Sequence, residues 1–226
     1  MGKIIMLICL LFMVPTDMEV AEIEKMPEVN FYGIDYQFIE ASADEAISKD
    51  TVLNEVYWLQ ESLPILQRVN YSIHIVNEKC IRDSTTTILG LSDLDNMEIY
   101  MFATPDDMID NKCANYIKMV ATEHTAAHEI GHLLRHDILS DEALLNYYKM
   151  RGGGIEGLDS LTEPDEVFAE DFAYLFGSPN AFPVNFGNIL FEAPGEKEKE
   201  WIANNLTLGF YEKYPLEQMR EAMGLP

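Results

Sequence analysis

The stretch Thr125-Ala-Ala-His128-Glu129-Ile-Gly-His132-Leu-Leu134 decides how the rest of the chain reads. It contains HExxH, and residues four apart on a helix share one face, one turn apart. His128 and His132 therefore present two imidazoles to a single metal ion. Glu129 sits beside them, within reach of a water at the metal rather than of the metal itself. Two ligands, a general base and an open coordination position are what a zinc hydrolase requires. A structural zinc fits poorly, because such sites use four protein ligands with several cysteines, and no cysteine pair here has that spacing. The motif is short, so a third ligand has to decide.

That ligand is sought in Thr162-Glu163-Pro164-Asp165-Glu166, which opens a run continuing through Glu170 to Phe176. The run predicts a helix. Thr162 is placed to cap it, Asp165 stands three residues later as in a capping box, and Pro164 is tolerated in the first turn. Phe168, Phe172, Leu175 and Phe176 recur at helical spacing and should face the core. Glu166 and Glu170 are four apart and point one way. The expectation is that Glu166 binds the metal and Glu170 orients a ligand histidine through its other ring nitrogen. Against this stands the possibility that both are solvated acids of a very acidic chain.

HEIGH followed by Glu-x-Phe-Ala-Glu-x-Phe over 166–172 resembles the gluzincin group of zinc metallopeptidases, in particular lethal-factor-type catalytic domains and Pro-Pro endopeptidases. The resemblance implies that His128, His132 and Glu166 bind one Zn2+ per chain, that Glu129 is the catalytic base and that Glu170 is the outer acid. HEIGHLLRH over 128–136, with Glu166, Ala169, Phe172 and Pro179, is similar to ImmA/IrrE-type peptidases, and that comparison also selects Glu166. Both cover the two active-site helices alone. Lethal-factor-type enzymes carry an oxyanion-stabilising tyrosine seven residues before the glutamate ligand, and that position is Asp159 here. Tyr147, Tyr148 and Tyr174 remain as substitutes. A metzincin reading would need a histidine at 138, which is Ile138. His136 lies on the same stripe, but about 12 Å along the axis from His128, too far for one ion on a straight helix. It reads as a helix C-terminal cation, and His124 as a partly buried helix residue.

The chain has 226 residues, 48% of them hydrophobic, and a formal net charge of −24. That suits one domain and excludes nucleic acid as a partner, since phosphate binding needs a basic face. Lys3 followed by the apolar run Ile4–Val14 matches the head of a signal peptide and is short for a membrane span. The expected division is a leader or N-terminal anchor over 1–21 and one metallopeptidase domain over 22–226, with a secreted or extracytoplasmic location or, alternatively, membrane anchoring by the N-terminus. The nearest cleavage position is Ala21. Cys80 and Cys113 would then be left as a possible disulfide closing a loop of about thirty residues.

Along the chain, residues 15–25 read as an acidic connection and 29–38 as containing a strand. A helix is expected over 50–63, capped by Asp50 or Thr51, with Val52, Leu53, Val56, Leu59 and Leu63 as its apolar stripe. Strands are expected over 71–76, 85–91 and 97–103, the last as the cleft-lining edge to which an extended substrate would add. Helices follow at 116–136, at 140–150 with Ser140 as cap, and at 196–204 and 215–223. Residues 105–112 read as a polar loop and Gly152–Gly154 as a connector or cleft-side loop.

The expected fold class is α+β, a zincin-like domain with a small mixed sheet, the HExxH helix and a mostly helical C-terminal lobe. The expected activity is a zinc-dependent metalloendopeptidase, a monomer acting on a protein or peptide substrate, with Glu129 activating the water. The alternatives are a catalytically inactive binding module of the same fold and an intracellular regulatory peptidase.

Overall fold

The computed structural model describes residues 18–28, 31, 33–82, 86–104, 114–156, 158, 160–181 and 192–215, with the backbone alone for 114–120. Among them the chain is α+β, with seven strands, five α-helices and one 3-10 turn. Residue 1–17, Asp159, Cys113, the 105–112 loop and the 216–223 part of the last expected helix lie outside the described residues.

The strands are β1 (Glu19–Ile23), β2 (Tyr36–Glu40), β3 (Ser72–Val76), β4 (Glu78–Arg82), β5 (Thr86–Ile88), β6 (Gly90–Asp93) and β7 (Glu98–Phe102). They form two sheets, ordered β1-β3-β7-β6 and β2-β4-β5. The first is mixed: β1 and β7 run parallel to β3, and β6 runs antiparallel to β7. Three expectations need correction. Residues 19–23 are a strand rather than a connection, so a cleavage beside Ala21 would cut through β1. The run 85–91 does not make one strand, because β5 joins the antiparallel second sheet while β6 joins the first. And β7 is internal: among the described residues the edges of this sheet are β1 and β6, and β6 is the one that lines the cleft described below. β7 is buried at four of its five positions, as a central strand should be.

The helices are α1 (Lys49–Ser62), α2 (Ala114–Ile138), α3 (Asp141–Met150), α4 (Thr162–Phe176) and α5 (Glu196–Lys213). α1 buries Val52, Val56 and Leu59 as its stripe predicts, with Ser48 at its N-cap position. Ser140 caps α3 by accepting from the Ala143 amide. α5 runs well past its expected end at 204.

α2 is the axis of the molecule. It packs on α1, α4, α5 and the β6–β7 side of the sheet. Ala126, Ala127, Ile130, Leu133 and Leu134 join the main core together with Phe168, Phe172 and Phe176 of α4. Each fully buried phenylalanine contributes about 2–3 kcal/mol of transfer free energy. Gly131, the glycine of HEIGH, permits the close approach: a Cβ there would meet the Ala169 Cα at 3.0 Å and the Phe172 Cβ at 3.3 Å. Cys80, in β4, is buried, and burial pushes its thiol pKa up to about 12, while the partner expected for it, Cys113, lies outside the described residues.

Candidate metal centre

A helix surrounded on all sides must find partners for its polar side chains. On α2, Glu123, His124, Thr125, Glu129, His132 and Arg135 are all buried. The three histidines 124, 128 and 132 form one stripe, and α4 lays its carboxylates along it in the reverse order. His124 Nε2 lies 3.2 Å from Glu170 Oε2. His128 reaches Glu166 through Nε2 at 3.4 Å and Glu170 through Nδ1 at 3.6 Å. His132 reaches Glu166 through Nε2 at 3.7 Å and Asp165 through Nδ1 at 2.9 Å.

Among the described residues, two groups of donor atoms therefore converge tightly enough to hold a metal ion: His124, His128 and Glu170, and His128, His132 and Glu166. In the second, the Nε2 atoms of His128 and His132 stand 3.0 Å apart. Two imidazole lone pairs aimed at one point repel unless a proton or a cation lies between them. Asp165 accepts from His132 Nδ1, which fixes the tautomer that leaves Nε2 free to ligate. Asp165 is in turn 3.5 Å from the buried Arg135, whose Nη2 donates to Asp141 at 2.6 Å. Glu166 is half-exposed, so this group faces open space on one side. Nitrogen and oxygen donors with one open side fit the coordination chemistry of a zinc ion.

The electrostatics agree with a site built for positive charge. Burial works against a charged His132, but the Asp165 hydrogen bond and the charges of Glu129, Asp165 and Glu166 outweigh it and raise its pKa to about 9. Burial likewise opposes the charge on Glu166, yet His128 and His132 hold its carboxyl below the ordinary value. Glu170 is lowered in the same way by His124 and His128.

Glu129 points off this stripe toward the sheet. Its Oε2 accepts from the Ser92 hydroxyl on β6 at 2.6 Å. A cleft of about 1200 Å³ opens here, floored by His128, Glu129, His132 and Glu166 and walled by β6, with Tyr36 and Arg82 from the second sheet also lining it.

The fold brings His128, Glu129, His132, Glu166 and Glu170 together on one cleft. Asp165 joins them, a position the sequence marks only as a helix-capping residue. The expected capping box is absent, since α4 begins after Leu161 with no side-chain cap, and Asp165 is spent on His132 and Arg135 instead. His124 is fully part of the stripe, with Nδ1 3.4 Å from the Ala181 carbonyl oxygen, and His136 is exposed. Tyr147 is buried and donates to Asp171 at 2.6 Å, and Tyr148 donates to Glu163 at 2.5 Å. Neither these nor Tyr174 is among the residues lining the cleft. No protein-family model matches the chain, and no curated protein matches it either.

Proposed function

We propose that the protein is a zinc-dependent endopeptidase of zincin type, with His128, His132 and Glu166 holding the ion. One observation carries this reading: His128 Nε2, His132 Nε2 and the Glu166 carboxylate converge at 3.0 to 3.7 Å on the floor of an open cleft. When bound there, zinc supplies Lewis acidity to a water and to a carbonyl oxygen.

The chain's own groups do the rest. Glu129 takes a proton on its carboxylate and returns it to the departing amine. Asp165 keeps His132 in its ligating tautomer, and Glu170 braces His128 and His124 together. β6 is an edge of its sheet and lines the cleft, so its outer side can receive an extended peptide as an added strand. The preference for His128, His132 and Glu166 over His124, His128 and Glu170 rests on Asp165, which presents the second nitrogen of His132, and on Glu129 beside the same pair.

The test compares zinc content and peptide hydrolysis in wild type, Glu166→Ala and Glu129→Gln. One zinc per chain in wild type, lost in Glu166→Ala, and zinc retained without hydrolysis in Glu129→Gln are the expected results. Full hydrolysis by Glu129→Gln refutes the mechanism. A non-catalytic metal-binding module is the second reading, favoured by the absence of Tyr147, Tyr148 and Tyr174 from the cleft lining. Wild type with zinc and no hydrolysis of diverse peptides would select it.

A further inference from the structure

We infer that Ser92 and Gly90 of β6 form a clamp that sets the position of the Glu129 carboxylate, making Ser92 a positioning residue of the reaction. The inference rests on the hydrolase reading above and adds a component on the strand opposite the metal. Ser92 is 8% exposed and Glu129 is 7% exposed, so neither bonds freely to bulk water. The Ser92 hydroxyl donates to Glu129 Oε2 at 2.6 Å, the short distance of a bond to a charged acceptor, and lies 3.3 Å from the Glu129 carbonyl oxygen. The same side chain thus holds the Glu129 carboxylate and touches its backbone.

Gly90 lies two residues earlier and faces the same side of the strand. A Cβ at 90 would stand 2.7 Å from Glu129 Cγ, 2.7 Å from Glu129 Oε1 and 2.7 Å from Thr125 Cγ2. The absence of a side chain there is what lets Glu129 lie against the strand. One residue supplies the donor and the other the room. A general base that must meet a water and then an amine loses rate when its carboxylate is free to rotate away. With Oε2 held by Ser92, Oε1 is the oxygen left to carry the proton.

A purely structural bond between β6 and α2 would change stability alone. A positioning bond changes kcat while KM and zinc content stay put. The experiment takes the best-cleaved member of a quenched fluorescent peptide library and measures kcat, KM, zinc per chain and Tm for wild type, Ser92→Ala, Ser92→Thr and Gly90→Ala. Ser92→Ala should lose about tenfold or more in kcat, with KM within about twofold and zinc unchanged. Ser92→Thr, which keeps the hydroxyl, should recover most of the loss. Gly90→Ala should retain zinc and lose kcat by displacing the carboxylate. Unchanged kcat in Ser92→Ala beside an active wild type overturns the clamp and leaves the hydrolase reading standing. Equal losses in Ser92→Ala and Ser92→Thr also overturn it. A zinc-loaded wild type that cleaves no library member overturns the hydrolase reading and the clamp with it. If Ser92→Ala fails to fold, Ser92→Thr and Gly90→Ala decide: Thr must hold kcat near wild type while Ala at 90 lowers it.

Discussion

Removing the charge from Asp165 should weaken zinc binding more than any change at Glu170. Asp165 Oδ2 is 2.9 Å from His132 Nδ1, both groups are largely buried, and Arg135 Nε lies 3.5 Å from the other oxygen. Asp165→Asn keeps the shape and an acceptor but loses the charge that makes the imidazole a strong donor to a cation. Outer partners of ligand histidines are typically worth 10- to 100-fold in metal affinity, about 1.4–2.8 kcal/mol. Glu170 Oε1 is 3.6 Å from His128 Nδ1, beyond hydrogen-bond length, and Glu170 is shared with His124. Glu170→Gln should therefore cost only a few-fold. The assay is competition for zinc against a chromophoric chelator at neutral pH, with Tm recorded for the metal-free proteins so that unfolding is not mistaken for weak binding. Asp165→Asn within about twofold of wild type would refute the assignment of the outer acid, and a larger loss in Glu170→Gln would transfer it to Glu170.

Two further outcomes follow from residues away from the metal. Glu55 on α1 is fully buried, accepts from the Ser178 amide at 2.9 Å through one oxygen, and has no hydrogen-bond partner for the other among the described residues. Burial foremost, with Glu123 adding, lifts its pKa from 4.5 to about 7. The folded state thus holds this proton more tightly than the unfolded chain, a contribution complete below about pH 4.5 and lost as pH rises through about 7. Glu55→Gln should remove up to roughly 3 kcal/mol of the fall in stability between pH 5 and pH 8, and identical pH slopes in urea unfolding of both proteins would contradict it. Gly131→Val should destabilise by about 2 kcal/mol or more and weaken zinc binding, because the added side chain meets α4 backbone at 3.0 Å; an unchanged Tm would show that the two helices can separate freely.

The two helices of the candidate site were legible because period-3.6 burial and a chemically specific motif coincide on them. Phe168, Phe172 and Phe176 mark the inner face of α4 from sequence alone. β1 and β4 carried no such mark. Glu19–Ile23 alternates weakly and contains two acids, and it is a strand because β3 offers it a parallel partner. The residues of β5 and β6 form one apolar-rich run, and nothing local tells Ile88 from Gly90 about the two different sheets they join. That hid the edge strand on the cleft side. Asp165 obeyed a local capping rule on paper, but a tertiary contact with His132 outbid the helix end for its carboxylate. Ser92 is one serine among many until β6 is laid against α2.

The stripe of histidines on α2 facing carboxylates on α4 has a consequence for how the chain holds together. Residues 132 and 166 are separated by a long excursion through α3 and the Gly152–Gly154 run. An ion gripped by both would close that excursion only when the helices are docked, much as a cross-link does. Free metal concentration would then enter the folding equilibrium itself by mass action. With such an ion at the site, a chain made where the metal is scarce would be less completely folded, and open to proteolysis along the very segment the ion would have closed.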